Sequence, residues 1–540
     1  MNEPAGDLSR TSLMNPPDDI HDLASLTKRA ARLWPERVAM LIDQTGEEVT
    51  FRVFDERSDA IAAALRQLGV DSGDRVAVML RNVMEFPLAW IGIAKAGAIM
   101  VPVNVNYRTE DARYVLQHSG SQTVLTEEEF LPLLASLRDT GLSVTNLITV
   151  DGGGGSILLR SLVDHTSISS LPTVAPEQTA NIQYTSGTTG QPKGCVLSHF
   201  YWCRLAHIVL AGPPRLGPED VLLTAQPFYY MDPQWNLATC LMAGARLILL
   251  DRFHPSTFWD KVRQHGVTFF YCLGMMPNAM LLNPPSGSDR HHRVRSIHCS
   301  AIPPKRHAEL EQRWGVPWYE VFGMTETGGD IRMFEQDHDS TLGAGCIGRP
   351  HADREIRIVD QNDRPVLRGT AGQMVIRGPG MMDMYFADPG ATHAVFKNGW
   401  FHTGDLARQD ADGLIYYLGR TKDMIRRSGE NVAAAEVEIV LMQHPKVRLA
   451  ACVPVPDELR GEEVKAYLVL REGETHETAP PSDLRDWCLE RLAYFKAPRY
   501  WEYRDDLPLT PSERVAKAAL IVETDDLRRG AWDSADQAWH

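Results

Sequence analysis

The sequence predicts a layered α/β protein with parallel strands, followed by a smaller α+β unit. Three observations lead there. Strand-like apolar runs alternate with helical periodicity along most of the chain, the signature of parallel strands joined by crossover helices. At 540 residues the chain is longer than one core normally organises, so two or more domains are expected. Past residue 421 the pattern changes to helix, two strands and helix, over about 120 residues, an ordinary size for a separate domain. The expected division is therefore 1–421 and 422–540.

Residues 1–20 are polar and Pro-containing and read as a loose tail. Helical periodicity follows at Leu23–Trp34 and Phe51–Leu68. Val76–Leu80 reads as a strand, Val83–Ala96 as a helix and Ile99–Val103 as a strand, and the alternation continues at Val124 and Leu147–Val150. Asp151-Gly-Gly-Gly-Gly-Ser156 is a surface loop. Ala180–Tyr184 is strand-like and Ser198–Val209 helical; Leu222 opens a strand that runs into an aromatic-rich turn reaching Trp235. Val267–Cys272 and Ile297–Ser300 read as further strands. In the C-terminal part Ala434–Gln443 and Pro481–Leu492 are helical, while Leu449–Val453 and Val464–Leu470 are strand-like. No repeat of fixed period occurs.

Composition narrows the function. Fifty-five Lys and Arg against seventy Asp and Glu leave a net charge of −15, the wrong balance for a surface that tracks nucleic-acid phosphates. A local basic patch for a nucleotide remains compatible with it. The eight cysteines are scattered without a Cys-x-x-Cys, so neither a disulfide framework nor a zinc site is expected. The N-terminus lacks the apolar stretch of a signal peptide, and nothing approaches eighteen consecutive apolar residues. A soluble cytoplasmic protein without a membrane span or nucleic-acid partner is expected.

Four stretches carry chemistry. The first is Tyr184-Thr-Ser-Gly-Thr-Thr-Gly-Gln-Pro-Lys-Gly194. Gly187, Gly190 and Gly194 let backbone N–H groups approach phosphate oxygens; Thr185, Ser186, Thr188 and Thr189 donate further bonds; Lys193 adds charge. Gly194 after Lys193 rules out a Walker loop. The second is Tyr319-Glu-Val-Phe-Gly-Met-Thr-Glu-Thr327, a strand ending in a ring, a glycine and a Thr-Glu pair. The third is Gly399-Trp-Phe-His-Thr-Gly-Asp405, whose carboxylate can accept two ribose hydroxyls. The fourth is Gly419-Arg-Thr-Lys-Asp-Met-Ile-Arg-Arg-Ser-Gly-Glu-Asn431. Each has a bland alternative: a Gly/Thr turn, a helix start, a turn Asp, a solvated Arg pair. Their joint occurrence in this order outweighs those alternatives.

Together they resemble the signatures of the adenylate-forming enzymes, which include acyl-CoA synthetases, luciferases and the adenylation domains of peptide synthetases. The likeness runs from about residue 25 to about residue 520. Within the family, Asn283–Arg295 and Gly323–Thr327 look most like crotonobetaine/carnitine-CoA ligases. The resemblance implies a large N-terminal ATP- and acyl-binding domain with several layers, a small mobile C-terminal domain, and ATP, Mg²⁺ and CoA as cofactor and co-substrates of a small carboxylic acid; a homodimer is a weaker expectation. It assigns the pyrophosphate to Lys193 and the 185–190 loop, the adenine to Phe322, the α-phosphate to Thr325 and Mg²⁺ to Glu326. Ser300, Ala301, Glu320, Gly323 and Met324 complete the nucleotide site, and Asp405 and Arg420 take the ribose. Tyr229, Tyr230, Met231, Asp232, Trp235 and Met275 line the acyl pocket; the family often has a histidine where Tyr230 stands. Lys422 marks the hinge and Gly429 the pantetheine tunnel. An amide ligase using the same first step, and a non-catalytic adenylate-binding protein, are the alternatives.

The C-terminus departs from this pattern. The family ends in Pro-x-Thr-x-Ser/Thr-Gly-Lys-Val, whose Lys bridges carboxylate and phosphate. Here Leu507-Pro-Leu-Thr-Pro-Ser-Glu-Arg-Val-Ala-Lys517 places Glu513 for Gly and Arg514 for Lys. Arg514 keeps the charge in a forked, planar group; Lys517, three residues on, is the other candidate.

Overall fold

A computed structural model describes residues 16–139, 141–153, 155–164, 171–185, 192–273, 276–420, 424–427, 430–457, 460–492, 494–510 and 515–540. Ser186, Gly187, Thr188, Thr189, Gly190, Met275, Lys422, Gly429 and Arg514 lie outside the described residues. The chain divides into two compact units, one of residues 1–355 and 376–400, the other of 356–375 and 401–540.

The first unit carries two largely parallel sheets. One has the strand order 157–158, 146–149, 123–126, 75–79, 99–102, 179–185, 193–198. Its strands run parallel except for the final pair, Thr179–Thr185 against Lys193–Ser198. Central strands such as Arg75–Met79 are apolar on both faces, as a sheet covered by helices requires. Phe51–Gln67 and Glu85–Lys95 are two of the covering helices; Thr50 caps the first by accepting from the Val53 amide. Lys95, buried in this layer, donates to Asp55 and Asp59 at 2.5 and 2.6 Å, which is how a charge is tolerated there.

In the other sheet of this unit, strands Arg246–Leu249, Val221–Thr224, Phe269–Leu273, Ser296–Ser300 and Trp318–Met324 lie side by side and parallel. Gly328–Arg332 and Cys346–Pro350 continue it antiparallel. Trp259, Phe270, Trp314 and Trp318 fill the core on one face. Because these strands are parallel, their carboxyl ends at Thr224, Leu273, Ser300 and Met324 lie at one edge. In open α/β sheets the loops beyond the carboxyl ends are where ligands bind.

The second unit holds the antiparallel pair Trp400–Gln409 and Ile415–Arg420, and a sheet built on Val447–Asp457 against Gly461–Leu470. The helices Ala434–Met442 and Pro481–Leu489 close a core of Ile425, Val437, Leu441, Val464, Leu484 and Trp501. The expected helix–strand–strand–helix order is present, with Tyr500–Tyr503 added parallel to Gly461–Leu470. All eight cysteines are buried, and none is in a disulfide. Among the described residues no helix is long and apolar enough to cross a membrane.

One local reading changes. The aromatic turn after Val221–Thr224 is shorter than expected, because a helix starts at Met231 and runs to Ala243. Tyr230 is its extended N-cap residue, Asp232 lies in the first turn, and Pro233 is tolerated there because first-turn amides have no helical partner. Pro233 is compatible with a turn and with a first helical turn alike, so it does not tell the two apart.

Candidate active site

The first motif is flanked by an antiparallel strand pair, Thr179–Thr185 against Lys193–Ser198. Thr185 and Lys193 stand directly opposite each other at the mouth of the antiparallel pair. Gly194 is required by packing: a Cβ there would lie 2.6 Å from Ile182 and 3.2 Å from the Tyr184 ring. Lys193 points its ammonium over the ring of Tyr385, 5.2 Å from the centroid, a cation–π distance.

The Thr-Glu motif is the tip of a second hairpin. Trp318–Met324 pairs with Gly328–Arg332, and the register shifts between Phe322 and Gly323. Gly323 permits that shift, since a Cβ would sit 2.0 Å from the Gly328 carbonyl oxygen. Thr325 and Glu326 are therefore presented on a tight tip beyond a strand end. Glu326 Oε1 accepts from the Tyr385 hydroxyl at 2.8 Å. Thr325 Oγ1 lies 3.4 Å from the Met231 sulfur, and its carbonyl accepts from Tyr201 at 3.0 Å.

A buried ionic frame holds this tip. Arg354 donates to Asp330 at 2.8 Å, to the Thr327 carbonyl at 2.6 Å and to the Pro379 carbonyl, and both charged side chains are fully buried. Thr327 donates to the other Asp330 oxygen. Beside it Arg204 grips Asp353 through two bonds of 2.6 and 2.8 Å. Buried charges survive only when paired and bonded in this way.

Ser300 and Ala301 follow the neighbouring strand. Ala301 adopts a left-handed φ of 70°, unusual without glycine. Glu320 holds it there, accepting from the Ala301 and Ile302 amides at 2.6 and 2.9 Å. Burial pushes the Glu320 carboxyl up to about 8, with the two amides pulling the other way. Ser300 donates to the Val321 carbonyl and accepts from Tyr271, both at 2.8 Å.

Of the residues expected to line an acyl pocket, Tyr229, Tyr230, Met231, Asp232 and Trp235 lie among the described residues. The Tyr229 and Tyr230 rings meet edge-on at 4.8 Å, and their hydroxyls accept from Asn106 and Asn104. Trp235 packs edge-on against Tyr271 at 5.4 Å. Asp232 is 4% exposed and accepts from Asn236 at 2.6 Å and Thr224 at 3.3 Å. Burial pushes its carboxyl up to about 8, against those two bonds. Asp232 is thus held within the protein, bonded to its own helix and to the strand beneath.

In the second unit Asp405 and Arg420 are cross-strand partners, with Arg420 Nε 2.9 Å from Asp405 Oδ1. Antiparallel pairing joins what the sequence separates by a hairpin. Lys517 begins the helix Lys517–Val522 and pairs with Glu438 at 2.7 Å; the same Glu438 oxygen accepts from the Cys452 amide at 2.6 Å.

Glu326 fits a magnesium ligand: among the described residues its Oε2 accepts no hydrogen bond, leaving a hard oxygen donor. A second group able to hold a metal, His307, Glu311 and His338, is committed elsewhere. Glu311 accepts from His338 at 2.8 Å and from the Trp318 amide at 2.7 Å, and His307 bonds the Trp318 carbonyl, tying the helix His307–Trp314 to the strand Trp318–Met324. Tyr385 and the Arg354–Asp330 frame were not found by sequence reasoning. Neither lies in a chemically suggestive spacing, and their partners are distant in the chain.

Residues 27–386 match the AMP-binding enzyme family, and residues 436–514 match the AMP-binding enzyme C-terminal domain. The chain belongs to this family and is an AMP-forming ligase of the acyl-CoA synthetase class. Among its relatives, the crotonobetaine/carnitine–CoA ligase of Salmonella paratyphi B is 33% identical over 495 residues, covering 88% of this chain and 93% of that protein. The o-succinylbenzoate CoA synthetase of Bacillus subtilis, solved with its acyl-adenylate intermediate, is 28% identical with a TM-score of 0.81, covering 94% of this chain and 98% of that one. The amide bond synthetase McbA of Marinactinospora thermotolerans, 23% identical with a TM-score of 0.81 over 93% of this chain and 99% of that one, shares the fold.

Proposed function

We propose that this enzyme converts a small carboxylic acid to its acyl-adenylate and then to its CoA thioester. In the first step a carboxylate oxygen attacks the α-phosphorus of ATP, and the bond to the leaving pyrophosphate breaks. In the second the CoA thiolate attacks the acyl carbon and AMP leaves. Lys193, with the 185–190 loop, would hold the pyrophosphate, and Thr325 would bond the α-phosphate. Bound Mg²⁺ would offset phosphate charge, with Glu326 its protein ligand. Phe322 would stack on adenine, framed by Ser300, Ala301, Glu320, Gly323 and Met324; Asp405 and Arg420 would take the ribose. Fixed positioning and preorganised charge supply most of the acceleration in such substitutions. Arg514 would bridge carboxylate and phosphate, Lys422 would be the hinge between residues 1–421 and 422–540, and Gly429 would lie on the thiol path.

The observation that carries this reading is the meeting of Lys193 and Glu326, far apart in sequence, on one tyrosine. The acid is proposed to carry a quaternary ammonium group. The relatives whose names specify crotonobetaine and carnitine support this, as do Tyr229, Tyr230 and Trp235, rings suited to an onium group. Pyrophosphate release with a betaine, its uncharged isostere, and CoA or an amine as acceptor tests acid and acceptor together. Lys193→Ala and Glu326→Gln should each lower release by about two to three orders of magnitude, the scale of losing one oriented group. Near wild-type release by either variant would remove the assignment, and equal use of the isostere would remove the onium preference.

A further inference from the structure

We propose that Tyr385 is a positioning residue that holds Lys193 and Glu326 apart, and so keeps both available to Mg·ATP; the inference rests on the roles proposed above for those two residues. Tyr385 is 6% exposed and lies outside every motif the sequence singles out. Its hydroxyl donates to Glu326 Oε1 at 2.8 Å while its ring face lies under the Lys193 ammonium at 5.2 Å. One side chain thus satisfies an anion and a cation 133 positions apart in the chain.

The surrounding backbone makes the placement rigid. Met382 donates to the Glu326 carbonyl at 2.7 Å, Asp383 to the Val196 carbonyl at 3.0 Å, and Phe386 to the Gly194 carbonyl at 2.7 Å; Val196 donates back to the Met384 carbonyl at 2.9 Å. The segment 382–386 therefore laces the strand bearing Lys193 to the tip bearing Glu326, and its own tyrosine amide donates to Thr392 Oγ1 at 3.0 Å. Two backbones fixed this way set the separation of the two charges.

The consequence is electrostatic. An ammonium and a carboxylate brought to one side chain attract each other, and a direct ion pair would neutralise the cation meant for pyrophosphate and occupy the carboxylate meant for the metal. Among the described residues Lys193 and Glu326 form no such pair. Tyr385 gives the carboxylate a neutral donor on one oxygen and leaves the other available. It gives the ammonium a ring face, an attraction that does not consume its hydrogen-bond donors.

The test separates the hydroxyl from the ring. Tyr385→Phe keeps the ring and loses the donor. We expect it to raise the Mg²⁺ half-saturation for pyrophosphate release about fivefold, with kcat at saturating Mg²⁺ within twofold of wild type; fivefold is about 1 kcal/mol, one ordinary hydrogen bond. Tyr385→Leu loses both and should also raise KM for Mg·ATP at least tenfold, with the melting temperature of each variant recorded as a check on folding. A double-mutant cycle with Glu326→Ala, read as Mg·ATP binding by calorimetry, should show that Tyr385→Phe has no further effect once the carboxylate is gone. The same loss in both backgrounds would overturn the proposal, because it would mean a general packing role. A Tyr385→Phe variant that titrates Mg²⁺ like wild type would also overturn it. If Glu326→Ala itself leaves the Mg²⁺ titration unchanged, the metal-ligand role of Glu326 falls, and the positioning role of Tyr385 falls with it.

Discussion

Replacing Arg354 by Met isolates the buried frame behind the Thr325–Glu326 tip. The substitution preserves chain length and apolar stem but removes a guanidinium that serves Asp330, Thr327 and Pro379 at once. Asp330 would be left as a buried charge without its cation, since both partners are 0% exposed. Breaking a buried ion pair from one side costs about 3–5 kcal/mol, and the Thr327 carbonyl loses its partner as well. Against a typical total stability of about 5–15 kcal/mol this is a large fraction. For a unit this long about 2 °C per kcal/mol is a fair conversion, so calorimetry should show a fall of about 6–10 °C in the first unit's transition. The double variant Arg354→Met with Asp330→Asn removes the orphaned charge while keeping an acceptor for Thr327, and should recover about half of the loss. A fall of under 2 °C in the single variant, or no recovery in the double, would refute the reasoning: the pair would then be energetically neutral, and the tip would be held by backbone bonding alone.

Three further outcomes follow from the site. Asp232 holds its proton to about pH 8 in the folded chain against an ordinary 3.8, so its contribution is present in full below about pH 4 and lost as the pH rises through 8; Asp232→Asn should flatten the fall in melting temperature between pH 5 and 8, and an unchanged slope would exclude a protonated Asp232. Gly323→Ala should lower pyrophosphate release at least about tenfold, since its Cβ would force the hairpin tip open by clashing with the Gly328 carbonyl, and a gentle effect would show that the tip tolerates movement. Arg514→Ala should cut adenylation at least about tenfold, about 1.4 kcal/mol or more, whereas Lys517→Ala should chiefly lower the second unit's melting temperature, because its ammonium is committed to Glu438; the opposite ranking would transfer the bridging role to Lys517.

Much of this protein is legible in its sequence because the deciding forces are local. Apolar periodicity sets strand against helix within a few residues, so Phe51–Gln67, Arg75–Met79 and Ala434–Met442 lie where their patterns put them. The glycines at 194 and 323 belong to motifs because a side chain at either would collide with the neighbouring strand or its packing. The helix that starts at Met231 is not legible from Pro233, which suits a turn and a first helical turn equally. Only tertiary structure decided what the motifs touch. Asp405 meets Arg420 through strand register, Lys517 meets Glu438 through helix packing, and Lys193 and Glu326 meet Tyr385 through a segment that laces two hairpins together. The same holds for the left-handed turn at Ala301, which no residue preference favours and which Glu320 imposes from the next strand. Local rules act over one turn or one strand pair, whereas these contacts join residues tens to more than a hundred positions apart, and a single chain carries no local signal of which distant side chain packing will bring to it.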